Sequence, residues 1–399
     1  MDVILSVFLY FTCFFLCAWM MKRIPGMQRP KELAELTPIY SFSNRRKGIR
    51  IILFAIISIL PLVLLAALRG EAVGVDTVEY ISRYKEAHTK SLSELLASNE
   101  EDFLYKILVF VTNRISGDPF FFLASLQFLC LIPIVWLSLR HSEEIDPWAI
   151  LLIFCFWHYN DSLNGTRQII SVDWLLLAYD YLSRDKKLKA FVLFLIALGF
   201  HSSALLLGMA LLVIHIVIHK VTSTLKKGIV LASVIIVLVF GQNLFILLVD
   251  AGVLPSRYYT YINTFIYRNT YAKTSWISVG AGGVFEVLIR LVLLCITVMT
   301  VPSYKRDRQF QIYCLMFFVG IIVYAAGLAV YHTSYFVRLS ICFDMFGLLI
   351  IPKLDKQSKF KLCVGNKRIK VYTVGVSMIY WIIHILLLKQ SGSIPYVFR

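Results

Sequence analysis

Long apolar segments, separated by short basic clusters, recur along the whole of this chain. Of its 399 residues, 59% are hydrophobic and only 16% are charged. A soluble core does not need so much apolar sequence, whereas each helix that crosses a bilayer needs roughly 20 apolar residues. The sequence therefore predicts a single integral membrane domain over residues 1–399, built as an all-α bundle of transmembrane helices.

The formal net charge of +16 does not indicate a nucleic-acid-binding protein, because the basic residues lie in clusters between the apolar segments. Such clusters are typical of the cytoplasmic loops of membrane proteins. They occupy residues 22–50, 184–189, 220–227, 305–308 and 353–370. A path that keeps all of them on one side crosses the membrane about twelve times, with both termini outside.

The predicted spans are residues 2–21, 49–68, 120–139, 147–161, 168–183, 189–201, 202–219, 228–249, 276–301, 310–331, 336–352 and 371–388. Several are too short to cross about 30 Å of hydrocarbon as straight helices. Short or broken helices are tolerated where they pack on protein or line a wet cavity, so we expect a cavity open to the outside. In an alternative threading, residues 190–218 form a single tilted helix.

Two long loops are predicted on the outside, at about residues 69–119 and 250–275. In the first loop, residues 102–114 carry apolar side chains at helical spacing but are too few to span the membrane. This pattern predicts an amphipathic helix that lies on the outer face. The second loop is rich in tyrosine.

Four arginines lie at predicted outer helix ends or loops, where the preference for cytoplasmic positive charge does not explain them. Their guanidinium groups match the oxygens of a phosphate in a bidentate manner, which predicts an anionic ligand. Pairing with acidic neighbours or with lipid headgroups is the alternative. The four are Arg69, Arg167, Arg257 and Arg338.

Candidate acid–base groups lie on the same predicted face. Asp76 and Thr77 follow two glycines, and they could either cap the next helix or contact a substrate. His201 interrupts a long apolar stretch, which is costly unless the ring is hydrogen-bonded or functional. Glu286 and Arg290 are four residues apart on one predicted helix, and their pairing is interpreted as structural.

The eight cysteines lie nearly all in apolar segments, without a CxxC pair or metal-ligand spacing to a histidine. The sequence therefore predicts neither a disulfide framework nor a structural zinc site.

Three motifs occur in an order that resembles the EpsG family of Wzy-like polysaccharide polymerases. They are Arg69-Gly70-x3-Gly74-x-Asp76-Thr77-x2-Tyr80, Asn164-x2-Arg167-Gln168, and Phe200-His201-Ser202-Ser203-Ala204. The family often carries a Glu-Pro pair before an aromatic residue in the first long outer loop. The matching place here reads Glu100-Glu101-Asp102-Phe103, without a proline.

The resemblance implies a metal-independent, GT-C-like membrane glycosyltransferase of the bacterial cytoplasmic (inner) membrane, with its active site facing outside. It would polymerise undecaprenyl-pyrophosphate-linked oligosaccharide units into capsule, O-antigen or exopolysaccharide. The growing chain would move from its lipid carrier to the non-reducing end of another unit. Expected partners are this lipid-linked oligosaccharide, the bilayer and polysaccharide assembly proteins such as a chain-length regulator; no nucleic acid and no cofactor is expected.

Within this sequence Arg69, Asp76, Arg167 and His201 match the family's pattern. Asp76 and His201 are therefore the predicted catalytic residues. The predicted pyrophosphate- and sugar-binding residues are Arg69, Arg167, Arg257, Arg338, Thr77, Gln168 and Asn164. No DxD motif is obvious in the predicted outer loops, so no metal ligand is predicted.

Two other classes of function remain open at this point. A flippase or transporter of lipid-linked oligosaccharide would carry charge along a path through the bilayer, whereas a polymerase gathers charge at the outer face. Asp173, Asp180 and Arg290 lie within predicted spans and keep the transporter hypothesis open. A glycan ligase or an acyltransferase is poorly separated from a polymerase by the sequence.

Overall fold

A computed structural model describes residues 2–24, 42–98, 101–251, 276–330, 334–358, 363–364, 367–368 and 370–399. Nearly all of the predicted outer loop at 250–275, including Arg257, lies outside these residues. The described chain is almost entirely helical, as predicted. Two-residue strands, Cys363–Val364 and Lys367–Arg368, pair in antiparallel fashion.

The helices in the first half of the chain are α1 (Val3–Lys22), α2 (Phe42–Ser58), α3 (Leu60–Ala67), α4 (Thr77–Glu86), α5 (Leu92–Ala97), α6 (Phe103–Ile115), α7 (Phe120–Arg140), α8 (Pro147–Trp157), α9 (Tyr159–Asn164) and α10 (Thr166–Ser183). Those in the second half are α11 (Lys187–Phe200), α12 (Ser203–Lys220), α13 (Thr224–Asp250), α14 (Trp276–Thr300), α15 (Pro302–Arg306), α16 (Arg308–Val330), α17 (Ser334–Asp344), α18 (Gly347–Gln357) and α19 (Val371–Leu387). The amphipathic segment predicted at 102–114 is α6.

Six segments in the described chain are long and apolar enough to cross a membrane. They are Val3–Lys22, Gly48–Ala67, Phe120–Arg140, Ser203–Lys220, Gly282–Thr300 and Arg308–Leu328. Pro147–Trp157 and Val371–Leu387 are shorter apolar helices. The all-helical membrane protein is thus confirmed, while the path of about twelve spans stays a prediction.

Helix breaks account for the short segments in the middle of the bundle. The predicted span 147–161 is wrong as a single helix, because the backbone leaves helical geometry at His158, between α8 and α9. The predicted span 336–352 is likewise divided between α17 and α18. The single tilted helix considered for 190–218 is also wrong, since His201 has extended backbone (φ −157°, ψ 125°) between α11 and α12.

The two ends of the bundle carry separate sets of polar contacts. At one end, the Asp76 amide binds Asn164, the Gln168 side chain binds the Arg338 carbonyl, and Arg399 pairs with Asp118. At the other end, Asp180 binds three cationic or basic side chains, and two lysines pair with acidic residues after α7. These contacts are Asp180 with Arg140, His141 and Arg184; Lys353 with Glu144; and Lys370 with Asp146. The first set contains residues predicted outside and the second contains residues predicted inside.

The segment of residues 390–399 packs into the first end of the bundle. Tyr10 of α1 donates to the Ser393 carbonyl at 3.0 Å, and the Tyr396 hydroxyl donates to the Leu65 carbonyl of α3. Asn160 of α9 donates to the Ser393 hydroxyl at 2.8 Å. This C-terminal segment therefore connects α1, α3 and α9 beside the loop that begins at Arg69.

Candidate functional site

The loop between α3 and α4 is shaped by two glycines that contact the C-terminal segment. The Gly70 amide donates to the Val397 carbonyl at 2.6 Å, and the Gly74 amide donates to the Gly392 carbonyl at 2.9 Å. Gly74 has a φ of +86°, and a Cβ there would lie 2.4 Å from the Leu163 carbonyl oxygen. The glycines thus permit a close approach that a larger residue would prevent, and they bring Asp76 against α9.

Gly74→Ala is expected to destabilise the protein by about 1–3 kcal/mol, because alanine is strained at positive φ and its methyl group would overlap Leu163. The melting temperature of the protein purified in detergent checks this. Gly117→Ala is the matched control, since a Cβ at Gly117 meets nothing within 4 Å. Equal melting temperatures for the two variants would contradict the role given to Gly74.

Asp76 lies just before α4 without capping it. Its backbone is in the right-handed helical region, and its side chain makes no capping hydrogen bond. Its amide instead donates to Asn164 Oδ1 at 3.0 Å. Burial raises the pKa of the Asp76 carboxyl above its ordinary value, while the positive charges of Arg338 and Arg167 offset part of that rise. The carboxylate is therefore left available beside two arginines.

Arg167 lies on the α6 side of Asp76. Its guanidinium carbon is 4.9 Å from the centre of the Tyr105 ring, a cation–π contact that fixes the side chain. Its positive charge also acts on the buried Tyr80 hydroxyl and offsets part of the rise that burial causes in the pKa of that group. Arg167 is half-buried, so one face of its guanidinium group is supported by aromatic rings while its charge still acts on Asp76.

A cavity of about 270 Å³ opens beside these residues. Asn164, Gln168 and Arg338 line it, and we call these three, with the adjacent Asp76 and Arg167, the mouth. The Gln168 side chain donates to the Arg338 carbonyl at 3.1 Å, which joins α10 to α17 at this place. All five residues of the mouth are among the predicted site residues.

Deeper in the same cavity, His384 of α19 bridges two carboxylates. Its Nδ1 lies 2.5 Å from Glu286 Oε1 of α14, and its Nε2 lies 3.2 Å from Asp161 Oδ1 of α9. Because both ring nitrogens face acceptor oxygens, the doubly protonated imidazolium satisfies both contacts. Tyr324 of α16 donates to the second oxygen of Glu286.

Arg290 adds a second buried cation one turn below. It pairs with Glu286 at 3.3 Å, as predicted, but it also pairs with Asp344 of α17 at 3.2 Å and donates to the Tyr380 hydroxyl at 2.8 Å. The pair is thus part of a network that joins α14, α17 and α19. We call the part of the cavity lined by His158, Asp161, Glu286, Arg290, Asp344 and His384 the inner chamber.

Arg69 and Thr77 lie behind the mouth. The Arg69 side chain is fully buried, and it donates to the Thr77 hydroxyl at 3.2 Å and the Ala66 carbonyl at 3.3 Å. Thr77 in turn donates to the Val73 carbonyl at 2.6 Å. In this position both residues hold the loop that carries Asp76, and neither lines the cavity described above.

His201 is hydrogen-bonded to Ser203, two residues later in the chain. Its Nδ1 accepts from the Ser203 amide at 3.2 Å and is 2.8 Å from the Ser203 hydroxyl, at the break between α11 and α12. Gly199, two residues before His201, lies close to Leu104 of α6. His201 is not among the described residues that line the cavity. Arg257 lies outside the described residues.

None of the six residues of the inner chamber is among the predicted site residues, and the pairing of Glu286 with Arg290 was interpreted as structural. His384 interrupts an apolar segment as His201 does, so the same cost of burying an imidazole in a membrane segment would have indicated it. Asp161 and His158 flank the helix break after Trp157, which the apolar pattern does not reveal. Across the described part of the chain, no group of three or more His, Cys, Asp or Glu side chains is arranged to hold a metal ion.

Comparison with known proteins gives one result. The model of the EpsG family matches residues 52–398, which is most of the chain. No match was found among the curated proteins or among the solved structures. With the apolar helices, the family match indicates a membrane protein of polysaccharide biosynthesis. The chain therefore belongs to the EpsG family, a family of Wzy-like polysaccharide polymerase-type proteins.

Proposed function

We propose that this protein is a membrane glycosyltransferase that polymerises lipid-linked oligosaccharide units on the outer face of the bacterial cytoplasmic membrane. The observation that carries the proposal is the mouth, where Arg167 and Arg338 both act on Asp76 beside a cavity. Guanidinium groups suit a diphosphate, and a carboxylate suits a sugar hydroxyl. The proposed lipid carrier is undecaprenyl pyrophosphate, and the product is a capsule, O-antigen or exopolysaccharide.

In the proposed reaction, a hydroxyl oxygen of the acceptor sugar attacks the anomeric carbon of the donor sugar. The new glycosidic bond forms as the bond from that carbon to the phosphate oxygen breaks, and the lipid diphosphate leaves with the electron pair. Arg167 and Arg338 stabilise the charge that develops on the leaving oxygen. Asp76 accepts the proton of the acceptor hydroxyl, and His201 is the second proposed acid–base residue.

Asp76→Asn is expected to reduce polymerisation by about 100-fold or more, since general-base catalysis contributes roughly that factor. Because burial raises the pKa of Asp76, wild-type activity should fall on acidification at a pH above about 4, the ordinary range for aspartate. The same raised pKa means that the charged form opposes folding at neutral pH, so the variant should melt no lower than wild type. A variant that unfolds, or that polymerises normally, contradicts the assignment.

Of the three charged residues that keep the transporter hypothesis open, Asp173, Asp180 and Arg290, only Arg290 lines the cavity. Asp180 is bound by Arg140, His141 and Arg184 at the opposite end of the bundle, and Asp173 is fully packed in the interior. Neither is among the described residues that line the cavity, so they do not extend it into a charged path.

Deletion of the gene, followed by gel analysis of the glycan and extraction of lipid-linked sugars, tests the proposal. We expect single lipid-linked units to accumulate on the outer face and wild-type protein to restore long chains. Accumulation on the cytoplasmic face would favour a flippase instead, and unchanged chain length would refute both.

A further inference from the structure

The inner chamber contains several buried polar atoms that the rest of the protein leaves without a partner. Both ring nitrogens of His158, Nε of Arg290 and Oδ1 of Asp344 have no hydrogen-bond partner among the described residues. The three side chains are only 1–3% exposed, yet all three line the cavity. Buried polar atoms are normally paired, so this arrangement indicates a ligand that supplies both donors and acceptors.

Charge distinguishes the inner chamber from the mouth. The chamber holds three carboxylates, those of Asp161, Glu286 and Asp344, against one guanidinium and two imidazoles. With these carboxylates ionised and His158 neutral, it stays negative whether or not His384 is protonated. The mouth has two guanidinium groups, those of Arg167 and Arg338, beside Asp76, and the carboxylates of Glu79, Glu101 and Asp102 also act on these groups. The excess of carboxylates disfavours a phosphate in the chamber, where a neutral ligand rich in hydroxyl groups fits, whereas the paired guanidinium groups suit a phosphate at the mouth.

The volume of the cavity restricts the kind of ligand further. The volume of the cavity, about 270 Å³, is just below the volume of sites that hold drug-sized ligands, which is roughly 300–1,000 Å³. It has room for one sugar ring. Apolar side chains, among them Ile169, Leu328 and Ile341, line the remaining walls and suit the C–H faces of such a ring.

We propose that the inner chamber binds the terminal, non-reducing sugar of the acceptor, with His158, Arg290 and Asp344 as its hydrogen-bonding partners. This assignment rests on the proposed polymerase function. In that reaction the donor sugar is linked on both sides, to the diphosphate and to the rest of its chain, whereas the acceptor presents a free end. A chamber of this size accommodates a chain end, and the adjacent mouth then places the donor diphosphate beside it.

His158→Phe tests the proposal with little risk to folding. The His158 ring packs near Phe154 and Trp157, which a phenyl ring can also contact, and its nitrogens have no protein partner among the described residues to lose. The probes are undecaprenyl diphosphate and the repeat-unit oligosaccharide released from its lipid by mild acid. Binding to purified protein is followed by thermal shift for the first and by saturation-transfer NMR for the second.

We expect the wild type to give the strongest saturation on the terminal non-reducing sugar. His158→Phe should bind the oligosaccharide roughly tenfold more weakly or worse, since a lost buried hydrogen bond is worth about that factor, and should bind undecaprenyl diphosphate as wild type does. Arg338→Gln should show the opposite pattern. The matched control is His215→Phe, because His215 also has an unpartnered ring nitrogen within the described chain but does not line the cavity; it should bind both probes normally.

Several results would overturn the assignment: no oligosaccharide binding by the wild type, saturation centred on an internal sugar, unchanged binding by His158→Phe, or equal loss of both probes. A failure of the polymerase proposal would give a different set of results. In that case the oligosaccharide still binds through His158, but deletion of the gene leaves the chain length of the glycan unchanged.

Discussion

Arg338→Gln should slow polymerisation by about 100- to 1000-fold, which is the usual effect of removing one preorganised donor to a developing negative charge. Arg338 is half-buried, lines the cavity and acts electrostatically on Asp76, so its guanidinium group reaches the place where the proposed diphosphate leaves. Glutamine keeps hydrogen-bonding capacity but removes the charge. The measurement is the length distribution of the glycan in the deletion strain that carries the variant, with the variant's level in the membrane quantified in parallel.

The matched control is Arg114→Gln. Arg114 is an exposed arginine at the end of α6, where it donates to the Lys90 carbonyl and lies over the Phe110 ring. It does not line the cavity, and this variant should therefore form long chains. Similar chain lengths for both variants would show that the charge of Arg338 is not needed for the reaction.

Arg290→Met should have the largest effect on stability, about 3–5 kcal/mol, because it leaves the buried Asp344 without its cation and removes one of the two cations that contact Glu286. Glu286 and Asp344 each lie within 3.3 Å of the guanidinium group, and both carboxylates are 1% exposed. Such a loss is a large share of the roughly 5–15 kcal/mol that stabilises a folded protein. The melting temperature in detergent and the yield of monodisperse protein provide the measurement.

Arg140→Met is the comparison for this effect. Arg140 also binds a buried carboxylate, that of Asp180, but His141 and Arg184 contact the same carboxylate and would remain. The loss should therefore be clearly smaller than for Arg290→Met. If both variants melt at the same temperature, the shared network around Arg290 does not stabilise the bundle in the way proposed.

The helix positions could be predicted because apolar runs and basic clusters report directly on burial in a membrane. The breaks within the helices could not be predicted from these features. At His158 the preceding residues are apolar or aromatic and neither a glycine nor a proline is adjacent, so no such residue indicates the end of α8. Whether the short helices complete about twelve crossings depends on how they pack, and that part of the topology stays a prediction.

The mouth was predicted in part because Asp76, Asn164, Arg167 and Gln168 belong to short motifs. The residues of the inner chamber are brought together by contacts between distant segments of the chain, which local sequence patterns do not encode. Asp161 meets His384 across the bundle. The position of His384 in an apolar segment indicates a buried imidazole, but it does not indicate the partner. The role of Arg69 in binding a ligand stays a prediction. The structure shows that the docking of the C-terminal segment encloses its side chain behind the mouth.

The hydrogen bonds from Gly70 and Gly74 to the C-terminal segment also set an order of assembly during synthesis. The loop that carries Asp76 follows α3 and is made early, but its partners at Gly392 and Val397 emerge only after α19. Contacts of such long sequence separation form late in folding. A nascent chain halted before α19 would already carry the three motifs that resemble the family and would still lack the C-terminal segment that binds the loop of Asp76.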